Sequence, residues 1–213
     1  MSVKARKELA DLMWKALTEA FPNSSCSLDR DEPERLAIRG ILSAQCTDVR
    51  VNITASELFT KCPSMEDIVK LPEDELIEII RPCGLYKSKG KSIRQFAELY
   101  CNEWNGKVPS DVNELMKCPG VGKKIANLIV GEVYGISAVV VDTHCKRVMY
   151  RTGISDNTDP LKVEEDIKKV FPEETWISLG HKAVDLGRTY CDSRSPKCGE
   201  CPLTDICRKR IKK

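Results

Sequence analysis

Four cysteines crowd into one short segment near the end of the chain, Cys191, Cys198, Cys201 and Cys207, and no other feature restricts the fold as much. Pro196, Gly199 and Pro202 make that segment loop-rich, so the thiols must be gathered by a loop. The other seven, Cys26, Cys46, Cys62, Cys83, Cys101, Cys118 and Cys145, are scattered singly. Scattered cysteines of a reducing compartment are small buried hydrophobes. A crowded set there is a metal site rather than a disulfide framework. Four thiolates suit tetrahedral zinc or a [4Fe–4S] cluster, and spacing does not separate the two. In either case binding energy is folding energy for the loop.

At 213 residues the chain can form one large domain or two small ones around an apolar core. Hydrophobic residues at 41% and charged ones at 31% describe a globular protein, not a disordered one. A net charge of +2 does not by itself announce a nucleic-acid partner, so local clustering has to. Two clusters exist. Arg81, Lys87, Lys89, Lys91 and Arg94 flank Leu85, and Arg188, Arg194, Lys197, Arg208, Lys209, Arg210, Lys212 and Lys213 surround the last cysteines. Together they are expected to form an electropositive face for a phosphate backbone. No apolar run approaches the roughly 18 to 20 residues that cross a bilayer, so no membrane role is expected. The N-terminus alternates charged and apolar residues at helical spacing without a signal-peptide core, which points to a cytoplasmic location.

Helical periodicity runs almost throughout and predicts an all-α protein. Leu9, Leu12, Met13, Ala16, Leu17 and Ala20 mark one helix face that stops at Pro22. Asp31-Glu32-Pro33 opens a second helix and Thr47-Asp48 caps a third. Ser64 to Asp67 has capping-box spacing. Further helices span about 73–80, 86–104 and 160–170, and a last one leads into the cysteine segment. The β-like run Ser137 to Val141 is expected to be an extended connector with a buried side.

Two features carry chemistry. Pro119-Gly120-Val121-Gly122 lies between apolar helical patterns, the layout of a helix-hairpin-helix. Its glycines let backbone amides approach a phosphate, at the positive end of the second helix. Lys123 and Lys124 fall in that helix's first turn, where the dipole disfavours added positive charge, a setting that suits an amine nucleophile. Binding phosphate is the alternative role. The second feature is Asp142, which ends the apolar run Val139 to Val141. A helix N-cap explains it, and capping is compatible with catalysis, because amides that hold a carboxylate favour its charged form.

Cys118 to Lys124, Val141-Asp142-Thr143-His144 and the four closing cysteines resemble the endonuclease III family. Leu42-Ser43-Ala44-Gln45-Cys46-Thr47-Asp48 and Gly84-Leu85-Tyr86-Lys87-Ser88-Lys89 extend the likeness, in order, over essentially the whole chain. The resemblance implies a DNA glycosylase with abasic-site lyase activity on oxidised pyrimidines, acting as a monomer on double-stranded DNA that carries a damaged base or abasic site. It implies a [4Fe–4S] cluster on the four cysteines. It gives Lys124 the role of nucleophile through a Schiff base, with Asp142 assisting. Gln45 and Leu85 would fill the gap left by an extruded base. Lys87, Gly120, Gly122, Lys123, His144 and Arg147 are expected DNA contacts.

Two domains are expected, residues 26–136 as a bundle ending in the hairpin and 1–25 with 137–213 carrying the cluster loop, with Lys124 and Asp142 facing a cleft between them. The alternatives are a monofunctional glycosylase for mismatched or alkylated bases and a non-enzymatic iron–sulfur DNA-binding protein. Lys124 argues against the first, and retention of Lys124 with Asp142 against the second. Ile41 stands where adenine-removing relatives carry an acid. Cys46, Cys118 and Asp185 depart from the family's common residues without removing a catalytic group.

Overall fold

A computed structural model describes residues 1–211, and all regular structure among them is helical. The helices are α1 (Val3–Ala20), α2 (Pro33–Leu42), α3 (Asp48–Lys61), α4 (Met65–Lys70), α5 (Glu73–Ile80), α6 (Tyr86–Asn102), α7 (Val112–Met116), α8 (Lys123–Tyr134), α9 (Thr143–Thr152), α10 (Pro160–Val170) and α11 (Trp176–Thr189). They fall into two compact units: Cys26–Ile136, and Met1–Ser25 together with the chain from Ser137 onward. Lys212 and Lys213, part of the expected basic cluster, lie outside the described residues.

The 26–136 unit is built on local signals that agree with its packing. Ser64 accepts from the Asp67 amide at 3.2 Å while the Asp67 carboxylate accepts from the Ser64 amide at 3.0 Å, a complete capping box for α4. Thr47 does occupy the N-cap of α3, but its hydroxyl makes no capping bond; the acidic Asp48 in the first turn complements the helix dipole instead. Phe96 of α6 is fully buried and meets Trp104 edge-on at 5.5 Å.

Helices α2 and α8 cross at Gly40, where a Cβ would stand 2.8 Å from Ile125 Cγ2. Ile125 is itself in the core, so the clash is with a packed branch and not a free end. Gly40→Ala should therefore destabilise the protein by about 1–3 kcal/mol in urea unfolding. An unchanged midpoint would show that the crossing has slack.

The other unit buries Ala10, Met13 and Leu17 of α1 in one core with Val139, Val141, Cys145, Val148 and Met149, and α1 packs on α10 and α11. Ala138–Val141 form a buried extended connector, as the sequence predicts. Leu203, inside the cysteine segment, belongs to the same core and anchors the loop to it. Of the seven scattered cysteines, Cys62, Cys83, Cys118 and Cys145 are buried as expected. Cys26, Cys46 and Cys101 are only half-buried, because they lie at helix or loop edges and not on a core-facing stripe.

Candidate active site and DNA interface

The hairpin between α7 and α8 is a glycine-dependent turn. Gly120 has φ +86, and a Cβ there would lie 2.6 Å from Ser92 Oγ and 3.7 Å from Ile41 Cγ2. Both the backbone conformation and the close approach of α6 and α2 therefore exclude a side chain. Gly122 caps α8 in extended conformation with no side-chain bond, and nothing lies within 4 Å of the position its Cβ would take. The start of α8 is thus open to an anion from outside. Lys123 and Lys124 are exposed in the first turn, while Ile125 through Gly131 are buried behind them.

Gln45 and Leu85 share a property that the sequence did not disclose. Both are non-glycine residues in the left-handed region, with φ 54 and φ 48, and both are exposed. Each such residue costs on the order of 1 kcal/mol and persists only where its surroundings impose it, typically at functional loops. Leu85 is 52% exposed, so its side chain is not part of the core.

The two loops are held to each other by Lys89. Lys89 is 3% exposed, and its ammonium donates to the Leu42 carbonyl before one loop and the Cys83 carbonyl before the other, each at 2.8 Å. Lys89 is therefore not part of a basic surface, because its charge is spent on buried carbonyls. Arg94 is committed in the same way, donating to the carbonyls of Val69 and Leu71, and Arg81 pairs with Glu78 at 2.9 Å. Lys87 and Lys91 remain exposed.

Asp142 is the N-cap of α9. Its carboxylate accepts from the Cys145 amide at 2.7 Å and its carbonyl from the Lys146 amide at 3.0 Å. The group is half-buried, held in place by the cap yet reachable from solvent. His144, two residues on, has its Nδ1 3.0 Å from Arg147 Nη2. Burial, followed by the charges of Arg147 and Arg188, outweighs Asp142 and pushes its imidazole below the usual histidine range. A Cβ on Gly187 would sit 2.6 Å from that ring, so α11 reaches α9 only because the residue is glycine.

Further along α9, two arginines face the cysteine segment. Arg147 donates to the Cys191 carbonyl at 2.8 Å and the Gly187 carbonyl at 3.1 Å. Arg151, one turn later, donates to the carbonyls of Asp192 at 2.6 Å and Ser193 at 2.8 Å and reaches Cys191 Sγ at 3.4 Å. The Arg147 guanidinium ties the helix that begins at Asp142 to the loop that carries the thiols.

Cys191, Cys198, Cys201 and Cys207 line one pocket with Arg151, Tyr190 and Thr204. No three His, Cys, Asp or Glu side chains among the described residues stand close enough to hold a single metal ion. Four thiols around a shared space have the donor chemistry of a metal–thiolate centre. The Lys209 amide points at Cys207 Sγ at 3.3 Å, a donor that favours thiolate charge. Burial raises the Cys201 and Cys207 thiols, so a bound cluster must displace protons held in the protein interior. Cys201→Ser should lose the cluster's visible absorption and lower the thermal midpoint; retained absorption would exclude Cys201 as a ligand.

Comparison with known proteins follows this geometry. Residues 38–173 match the model for the HhH-GPD superfamily base excision DNA repair proteins, and residues 191–207 match that for the iron-sulfur binding domain of endonuclease III. Endonuclease III of Bacillus subtilis is 39% identical over 196 residues, 92% of this chain and 90% of that protein. This chain is a member of the endonuclease III family. A non-covalent endonuclease III–DNA complex aligns over 95% of both chains with TM-score 0.91 and 38% identity. A trapped endonuclease III–DNA covalent intermediate, an estranged-adenine complex, aligns over 98% of this chain and 97% of that one with TM-score 0.90 and 37% identity. The chain therefore carries the [4Fe–4S] cluster of its family, and the matched residues 191–207 span the cavity lined by the four thiols.

Proposed function

We propose that this endonuclease III-family chain, a bifunctional glycosylase and abasic-site lyase of base-excision repair, acts on oxidised pyrimidines in duplex DNA with Lys124 as its nucleophile. The carrying observation is an exposed lysine in the first turn of α8, directly after a glycine turn that leaves the helix start open to phosphate. The hairpin holds the DNA backbone, and the same helix presents the amine.

Chemically, the neutral Lys124 amine attacks the anomeric carbon, and the damaged base leaves with the glycosidic electron pair and takes up a proton. The sugar ring opens to a Schiff base. Loss of a C2′ proton then expels the 3′ phosphate by β-elimination, and hydrolysis frees Lys124. Asp142 acts on the same sugar, balancing its positive charge and accepting a proton. A base within the stack cannot be attacked, so extrusion precedes all of this. Gln45 fills the space with an amide that can meet the orphaned partner base, and Leu85 with an apolar wedge. The cluster contributes structure: it fixes the loop that Arg147 and Arg151 tie to α9. The protein is proposed to work as a monomer. No described helix is long and apolar enough to cross a membrane.

Leu85→Ala and Gln45→Ala test the gap-filling roles. Both should lower excision of a base-paired lesion by about tenfold or more, since unstacking costs a few kcal/mol. Both should lower cleavage at a bare abasic site much less, because no base has to leave the stack. Equal losses on the two substrates would assign these residues to general DNA affinity.

A further inference from the structure

Lys89 stands in the first turn of α6, yet its ammonium is used outside that helix. It donates at 2.8 Å to the carbonyl of Leu42, the last residue of α2. At the same distance it donates to the carbonyl of Cys83, the last residue of the tight turn Arg81–Cys83. Carbonyls at the ends of helical turns lack partners within the turn, and a cation there also meets the negative end of the dipole. The Lys89 amide meanwhile donates to the Leu85 carbonyl at 3.0 Å. One residue therefore grips the chain just before Leu85, at Leu85 itself, and where α2 gives way to the Gln45 loop.

These grips fall where the backbone is least able to hold itself. Gly84, Leu85 and Gln45 have φ 66, 48 and 54, and the latter two carry side chains that disfavour this region. Leu85 occupies the N-cap of α6, where an apolar side chain makes no capping bond. On the other loop, the Cys46 amide donates to the Ser43 carbonyl at 3.1 Å, closing a turn that starts directly after Leu42. Burying the cation is itself unfavourable. Lys89 is almost wholly buried, and burial pushes its ammonium below the usual lysine range. An apolar side chain would avoid that cost but leave both carbonyls unheld.

We propose that Lys89 is a positioning residue for base extrusion, holding the Gln45 and Leu85 loops at the separation that lets both side chains enter the gap. Buried as it is, the ammonium contacts neither DNA nor the reacting sugar; it acts through the gap-filling roles proposed for Gln45 and Leu85, on which this assignment rests. Without the ammonium, both carbonyls are released and the two left-handed residues relax. Their side chains then meet the stack out of register. A misplacement near 1 Å costs about 10²-fold in a positioned reaction. Cleavage at a bare abasic site escapes most of this, because no base has to leave the stack.

The test compares cluster-loaded wild type and Lys89→Met on two duplexes, one with a base-paired oxidised pyrimidine and one with a bare abasic site. Methionine keeps an unbranched apolar stem and removes the donors. Excision of the paired lesion should fall by about tenfold or more, and cleavage at the abasic site much less. In a protein already carrying Gln45→Ala and Leu85→Ala, Lys89→Met should cost little more, because groups that act as a unit are not additive. Equal losses on the two substrates would overturn the proposal and make Lys89 a general structural cation. So would an undiminished loss in the Gln45→Ala/Leu85→Ala background. Thermal melting of the same preparations shows whether each variant is folded. If Lys89→Met is not, Lys89→Gln carries the test. Its amide can still serve the carbonyls, but from one bond nearer the helix, so a smaller selective loss is expected and its absence would overturn the proposal. The gap-filling reading fails separately, when neither Gln45→Ala nor Leu85→Ala distinguishes the two substrates. A selective loss in Lys89→Met would then still assign extrusion to the loops that Lys89 holds.

Discussion

Lys124→Ala should lower base excision by about 10³-fold or more while leaving the protein folded and bound to DNA. The side chain is exposed, so no core contact is lost and stability should stay within about 0.5 kcal/mol. The sign of that small change is itself informative. A lysine in the first turn opposes the helix dipole, and alanine is the better helix former, so the variant should be equal or slightly more stable than wild type. Thermal melting and excision kinetics on the same preparation check both halves. An inactive variant that is also several degrees less stable would make Lys124 a structural residue. Lys123→Ala provides the contrast, with weaker and more salt-sensitive binding and a largely intact chemical step.

Asp142→Asn should lower the chemical step by about 10²- to 10⁴-fold, the range for loss of a positioned acid–base group. Asparagine caps a helix as well as aspartate does, so the bond to the Cys145 amide survives and stability should barely move. Asp142→Ala removes the cap too and should cost about 1 kcal/mol in addition. The pair separates two roles that one carboxylate holds at once. Equal activity in Asp142→Asn and wild type would leave capping as the whole function of the residue.

Much of this was legible from local sequence. The start of α4 could be read from Ser64 and Asp67, whose bonds are made within four residues. The same holds for α10, where Asp159 accepts from the amides of Leu161 and Lys162 ahead of a helix opened by Pro160. Asp142 also announced itself, since a carboxylate closing an apolar run has to be bonded or used. What stayed hidden depends on partners distant in sequence. Lys89 and Arg147 read as cations for DNA. The carbonyls that claim them belong to Leu42 and Cys83 in one case and to Gly187 and Cys191 in the other. The left-handed backbone at Gln45 and Leu85 is imposed by loop packing against intrinsic preference, so no propensity could reveal it. Zinc and iron–sulfur could not be told apart by spacing, because both are held by four thiolates, and the match to the family's iron–sulfur domain decides between them.

The central claim is that the Lys124 amine becomes covalently joined to the sugar. Borohydride reduction of the protein with duplex DNA carrying an oxidised pyrimidine converts that Schiff base into a stable amine bond. Nuclease digestion followed by peptide mass spectrometry then locates the attached sugar. The expected result is a deoxyribose remnant on the peptide containing Lys124, absent in Lys124→Ala. An adduct on Lys123 or another amine, or none on either the lesion or a bare abasic site, would contradict the account.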